Sequence, residues 1–232
     1  MNENDKRMKQ DKDFKHIAIA GNIGSGKTTL ATLLAKHYGW QPQYEVIENN
    51  PYIDDFYQDM QTWSFHMQIY YLNYRFQQVL EIRKGDATVV QDRTIYEDAY
   101  IFAPNLHEMG LMHSRDFETY KTLYQTINTQ ITPPDLLIYL RASLPALVTQ
   151  IQRRGRKFED SIRLDYLKKL NQRYEDWIAD YQGKKLLIID VDNCNFADNP
   201  EDLGQIINLI ETERTGLFAP QERKKKAVLV EK

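Results

Sequence analysis

Apolar and polar positions along this chain predict five short strands separated by helices. His16-Ile17-Ala18-Ile19-Ala20 reads as a buried strand, and Leu30, Leu33 and Leu34 then recur at helical spacing. Gln43–Glu48 predicts a second strand. Asn49-Asn50-Pro51 stops it, since proline drives the residue before it away from the helical region. From Asp54 to about Gly85 the pattern is a long aromatic-rich helix, with a break expected near Gln58–Trp63. Thr88–Gln91 predicts a third strand. Ile95–Phe102 and Phe117–Thr129 read as helices flanking a loop of Pro104, Asn105 and Gly110. A fourth strand is expected over Asp135–Leu140 and a fifth over Lys185–Asp190. Helices are expected over Leu144–Arg154, Arg163–Tyr181 and Pro200–Glu213. The division that follows is a charged flexible leader (1–15), one domain (16–214) and a flexible basic tail (215–232) containing Arg223-Lys224-Lys225-Lys226.

Short apolar strands alternating with helices predict an α/β fold, a parallel sheet with helices on both faces. Such sheets bind ligands beyond the carboxyl ends of their strands. The first of those ends carries Gly21-Asn22-Ile23-Gly24-Ser25-Gly26-Lys27-Thr28, which fits G-x-x-x-x-G-K-[ST] at every fixed position. Glycines let backbone N–H groups turn inward, and the following helix N-terminus adds partial positive charge, so the stretch is a polyphosphate site. Lys27 is expected to reach the β and γ phosphates of ATP, and Thr28 to ligate Mg²⁺. Glu48 after the second strand and Asp92-Arg93 after the third fall at the same edge. Glu48 is the candidate base for an attacking hydroxyl, Asp92 a second Mg²⁺ group, and Arg93 a bridge from Glu48 to the acceptor.

Composition narrows the partners. The 232 residues are 42% hydrophobic with a formal charge of −3, enough for a sizeable core and without a basic field for nucleic acid. A single cysteine, Cys194, excludes an internal disulfide and suits a reducing compartment. No apolar run approaches the ~20 residues of a membrane span, and the five histidines lack metal-ligand spacing. The expectation is a soluble cytoplasmic protein with no membrane partner.

Two further clusters add chemistry. Arg153-Arg154-Gly155-Arg156 is a glycine-hinged basic loop, suited to a lid over a transferring phosphate. On the aromatic helix, Gln68, Tyr71 and Arg75 fall at i, i+3 and i+7, on one face. An amide and a guanidinium among aromatics can read the edge and face of a nucleobase, although aromatic helices are ordinarily core.

These residues resemble the deoxynucleoside kinases, the group that includes deoxycytidine, deoxyguanosine and bacterial deoxyadenosine kinases. The likeness runs from about Ile17 to Ile210. It rests on Gly21–Thr29 (GNIGSGKTT), Trp63–Gln68 (WSFHMQ), Asp92–Asp98 (DRTIYED) and Arg154-Gly155-Arg156, in that order and spacing. The resemblance implies a phosphate-loop kinase fold with an arginine-bearing lid. It makes Glu48 the base for the 5′-hydroxyl, with Arg93 holding both, and puts Gln68 on the nucleobase with Met67 beneath it. Tyr57 and Glu159 would hold the sugar 3′-hydroxyl, and Arg154 and Arg156 the phosphates. Asp190–Phe196 would receive the donor base. It also implies a homodimer. Two departures stand out: Glu48 is followed by Asn49-Asn50-Pro51 rather than by proline directly, and Gln150 stands where some relatives have another lid arginine.

Arg75 and Asp98 match a pair that faces the base edge in cytosine- and purine-accepting members of that family. A purine deoxynucleoside is therefore the expected substrate, with deoxycytidine as a side activity. The alternatives weighed are a nucleoside monophosphate kinase and a non-catalytic ATP-binding switch. The first needs extra basic groups for an acceptor phosphate, and the second needs no base opposite the γ-phosphate. A regulatory GTPase would carry N-K-x-D, which is absent.

Overall fold

A computed structural model describes residues 14–45, 50–156, 159, 162–215 and 227–228. The sheet has the order β2-β3-β1-β4-β5-β6, all parallel. Its strands are β1 (His16–Gly21), β2 (Gln41–Gln43), β3 (Val89–Asp92), β4 (Leu136–Arg141), β5 (Lys185–Asp190) and β6 (Ala227–Val228). Parallel strands with both faces covered read as continuous apolar runs, and β1 is buried along its whole length. Its register against β3 (Ile19 opposite Asp92) and β4 (Gly21 opposite Leu140) brings three strand ends to one edge.

The helices are α1 (Lys27–Tyr38), α2 (Ile53–Gln58), α3 (Met60–Lys84), α4 (Ile95–Glu97), α5 (Ala103–Glu108), α6 (Ser114–Asn128), α7 (Leu144–Arg154), α8 (Leu164–Ala179) and α9 (Pro200–Thr215). One core packs α3, α6 and α8 on one sheet face, with Leu72, Tyr120 and Tyr174 in it. The other packs α1 and α9 against Ile17, Ile19 and Ile138.

The expected break in the aromatic helix falls at Asp59, whose carboxylate caps α3 by accepting from Thr62 N at 3.2 Å. Four expectations are corrected. The second strand lies at Gln41–Gln43, and Tyr44 and Glu45 of the expected Gln43–Glu48 strand are outside it, Glu45 being engaged by two arginines (below); 46–49 fall outside the described residues. Pro104 and Asn105 lie in α5 rather than a loop; proline in a first turn forfeits no helical hydrogen bond. In place of one continuous helix over 95–102, the segment passes from α4 into a π-helical turn, Asp98–Phe102, before α5. Ala227–Val228 add a sixth strand beside β5, where none was expected. Residues 1–13 of the leader lie outside the described residues. Lys15 and His16 are held by the Asp135 carboxylate, which accepts both backbone N–H groups at 2.9 Å.

Candidate active site

The strand ends open into a cleft of about 520 Å³. One wall is the phosphate loop. Gly24 and Gly26 sit at φ +87° and +91°, which other residues adopt only at a cost of roughly 1–2 kcal/mol. A Cβ on Gly24 would also stand 2.9 Å from Leu147 O and Ile151 Cγ1. Gly26 caps α1 without a side-chain hydrogen bond, leaving the first N–H groups of the helix for an anion. Ile23, Gly24, Gly26, Lys27, Thr28 and Thr29 all line the cleft. Lys27 Nζ donates to Asn22 O at 2.9 Å, and burial followed by the Arg93 charge lowers its pKa to about 8, against Asp92, Glu45 and Glu97. Thr28 Oγ1 donates to Asp92 Oδ2 at 2.5 Å, while Asp92 Oδ1 is buried without a partner.

Two loop residues serve differently from expectation. Asn22 donates to Leu167 O (3.2 Å) and Asn171 Oδ1 (3.1 Å), so its side chain braces the loop against α8 and is unavailable to a phosphate. Ser25 Oγ is buried without a partner, packed where a Cβ on Gly21 would come within 2.5 Å of it. Phe196, expected at the donor base, is 6% exposed and packs behind Gly26 in the core; the neighbouring Ala197 and Asp198 are on the cleft wall.

The second wall is a charged cluster. Arg93, directly after β3, takes a left-handed φ of +70° and lines the cleft. Its Nε lies 3.2 Å from Glu45 Oε1, and its Nη1 donates to Tyr174 OH at 2.7 Å. Glu48 falls outside the described residues. Glu45, three positions earlier, meets the Nε edge of Arg93, accepts from Arg75 Nη2 at 2.7 Å and lines the cleft. Burial alone would raise the Glu45 pKa. Arg93, Arg75 and Lys27 together overcome it and hold the carboxyl well below the usual range.

Arg75 is 0% exposed. Its three nitrogens engage Glu45, Asp98 Oδ2 (2.5 Å from Nε) and Arg93 O (3.3 Å from Nη1). It therefore stands behind Asp98 instead of facing the cavity as expected; Asp98 itself lines the cleft. Burial pushes Asp98 up to about 7, with Arg75 and Arg93 opposing and Glu45 and Glu97 adding. The folded protein thus holds a proton that the unfolded chain, near 3.8, releases. That contribution to stability is full below the unfolded pKa and is lost as pH rises through about 7. Between about pH 5 and pH 8, the Tm of the wild type is expected to fall relative to Asp98→Asn in parallel thermal melts. A wild-type curve parallel to the variant's would refute it. Glu45 has the opposite sign, its contribution being lost only in acid.

The third wall carries Tyr57, Met67, Gln68 and Tyr71. Gln68 Oε1 is buried without a hydrogen-bond partner. Met67 Sδ accepts from Asn50 Nδ2 at 3.2 Å, and burial raises the Tyr57 hydroxyl pKa well above 10. At the mouth, α7 ends at Gly155, and Gln150, Arg153, Arg154 and Arg156 line the opening. Glu159 ties two of these down. Arg154 grips both its oxygens, with Nε to Oε2 at 3.1 Å, and Arg156 Nη1 lies 3.5 Å from Oε1. Tyr57 and Glu159 thus reach one cleft, with the Glu159 carboxylate on the lid arginines.

Sequence reasoning missed Glu45 and Glu97. For Glu97 a signal was present: Thr94-Ile95-Tyr96-Glu97 is a capping-box pattern directly after a strand.

Comparison with known proteins agrees with this geometry. The family model described as deoxynucleoside kinase matches residues 17–213. Deoxyadenosine kinase of Dictyostelium discoideum is 40% identical, over 86% of this chain and 80% of that protein. Deoxyadenosine/deoxycytidine kinase of Bacillus subtilis is 36% identical over 84% and 90%. B. subtilis deoxyguanosine kinase is 36% identical over 82% and 93%. A structure of deoxyadenosine kinase from M. mycoides with bound dATP superposes with a TM-score of 0.75 at 28% identity, covering 84% of this chain and 98% of that one. No helix among the described residues is long and apolar enough to cross a membrane. A phosphate loop, the Arg93–Glu45 pair in the same cleft and a family match running from β1 to α9 place this chain in the deoxynucleoside kinase family, a family of phosphotransferases.

Proposed function

We propose that this protein transfers the γ-phosphate of ATP to the 5′-hydroxyl of a purine deoxynucleoside, deoxyadenosine or deoxyguanosine, with deoxycytidine as a side activity, in deoxynucleotide salvage. The observation that carries the reading is the Glu45–Arg93 pair, which shares one cleft with Lys27 of the phosphate loop and with the unpartnered Oε1 of Gln68. Glu45 is assigned the role of base in place of Glu48. Its carboxylate stays ionised at neutral pH, and Arg93 orients it toward the acceptor hydroxyl. Phosphoryl transfer asks mainly for positioning and charge neutralisation, so a weakly basic carboxylate held in place suffices. Lys27, Arg154 and Arg156 supply positive charge around the phosphates, and Tyr57 and Glu159 take the sugar 3′-hydroxyl.

Mg²⁺ fits the residues present. The Thr28 hydroxyl and the Asp92 carboxylate with its unpartnered Oδ1 are hard oxygen donors, suited to an ion held mainly by phosphates and water. When bound, the ion neutralises charge on the β and γ phosphates.

Base preference follows from the acceptors on the wall. Gln68 Oε1 and the Asp98 carboxyl favour a base edge that carries donors. Adenine, guanine and cytosine have an exocyclic amino group and thymine has none. An acceptor facing an acceptor in a buried site is penalised. Gln68→Met is expected to raise the nucleoside KM roughly 10–100-fold, as for a lost buried hydrogen bond of about 1.5–3 kcal/mol. The same variant narrows the preference over thymidine, as read from steady-state kinetics on both nucleosides.

The deciding experiment is ADP formation from Mg-ATP with deoxyadenosine, deoxyguanosine, deoxycytidine, thymidine or deoxyadenosine monophosphate. Thymidine as the best acceptor would overturn the base preference. Stimulation by the monophosphate alone would move the reaction to nucleotide kinases. The reading further includes a cytoplasmic homodimer, supported by the exposed Leu123 on α6 and tested by sedimentation.

A further inference from the structure

Glu97 is not among the residues lining the cleft, yet three parts of the site meet on it. It is 0% exposed. Its Oε1 accepts from Tyr174 OH at 2.7 Å and from Gly21 N at 3.3 Å, and lies 3.4 Å from Arg93 Nη1. Its Oε2 accepts from Thr94 N at 2.7 Å. Arg93 Nη1 donates in turn to Tyr174 OH at 2.7 Å, closing a triangle of Glu97, Tyr174 and Arg93. Gly21 begins the phosphate loop, Arg93 directly follows β3, and Tyr174 belongs to α8, the helix that also holds Asn22 of the loop through Leu167 O and Asn171.

The capping box with Thr94 accounts for Oε2 alone, and a glutamine would serve a capping box as well as a glutamate. Three donors converging on Oε1 call for a full carboxylate, since a glutamine there would bring its own N–H groups against them or against Thr94 N. A buried carboxylate is tolerated only when its partners are this complete. Here the partners include the two parts of the site that most need fixing relative to each other, the root of the phosphate loop and the arginine that meets Glu45.

We propose that Glu97, together with the Tyr174 hydroxyl, is a positioning residue for phosphoryl transfer. It locks the Nη1 edge of Arg93 to the first residue of the phosphate loop, so that the Nε edge is presented to Glu45 at a set distance from Lys27. The proposal rests on the kinase reading above, which fails first and separately if the wild type shows no nucleoside-dependent ADP formation.

The test uses the full chain carrying Glu97→Gln, Tyr174→Phe or both, with kcat, both KM values and Tm. Each single variant is expected to lower kcat about 10–100-fold with KM values within about 3-fold, the pattern of an interaction realised in the transition state. The double variant is expected to match the worse single one, because coupled residues do not add. A wild-type kcat in Glu97→Gln would leave the residue as a helix cap and overturn the proposal, as would a loss confined to Tm. If Glu97→Gln does not fold, Tyr174→Phe decides, since it removes one oxygen with little change in volume. Wild-type kcat there overturns the proposal equally.

Discussion

Glu45→Gln is expected to lower kcat by about 10²–10⁴-fold, the usual contribution of a positioned acid or base, while leaving ATP binding within a few fold. The expectation follows from placement. Glu45 Oε1 is 3.2 Å from Arg93 Nε and 2.7 Å from Arg75 Nη2, in the cleft that holds Lys27 and Thr28. Glutamine keeps the volume but loses the charge, and its amide cannot accept a proton at neutral pH. Glu48→Gln is the matched comparison. If the phosphoryl acceptor is activated from position 45, Glu48→Gln retains most of the activity; the reverse order of losses would return the role to Glu48. Single-turnover ADP formation with saturating nucleoside separates chemistry from product release and makes the comparison clean.

The largest expected loss of stability is at Arg75. It is fully buried and stands between the buried Asp98 and the partly exposed Glu45, so Arg75→Met leaves Asp98 without its ion-pair partner and Glu45 with only Arg93 and Lys27. Breaking one side of a buried ion cluster costs about 3–5 kcal/mol, which in a chain of this length is a fall in Tm of roughly 6–20 °C. Asp98 can take up a proton, its pKa lying near 7 with Arg75 present. The loss should therefore be smaller on the acid side of neutrality than at higher pH. Arg75→Met/Asp98→Asn should recover part of it. Thermal melts at two pH values check both points, and a Tm within about 2 °C of wild type would show that the cluster is not held as described.

These two residues mark the boundary between what is legible in the sequence and what is not. The phosphate loop was readable in full, because its chemistry depends on consecutive residues and on backbone geometry that glycine permits. Strands β1, β3, β4 and β5 were readable because a parallel sheet buries both faces and leaves an apolar run; β2, the mostly exposed Gln41-Pro42-Gln43, carries no such run and was expected elsewhere. Gln68, Tyr71 and Arg75 were correctly put on one face by helical spacing alone. What Arg75 does on that face was not readable. Its side chain had two acidic neighbours available, Glu45 from 30 positions away and Asp98 from the π-helical turn, and with both engaged it withdrew behind the wall it was expected to form.

The same reason separates the proposed base Glu45 from the expected Glu48: in a stretch that reads Glu-Val-Ile-Glu the two carboxylates are three positions apart, and nothing in the local pattern says which of the two faces the site. Asn22 and Phe196 sit in segments whose sequence signals a nucleotide site, yet their side chains brace it from behind. The sequence by itself determined strands β1, β3, β4 and β5, the phosphate loop and the residue types needed for phosphoryl transfer, since these follow from local pattern and backbone freedom. Only the tertiary structure decided that Glu45 and Glu97 both meet Arg93, that Arg75 is withdrawn, and that Glu97 joins the loop to the site, because buried charges are placed by partners that the chain brings together from far apart.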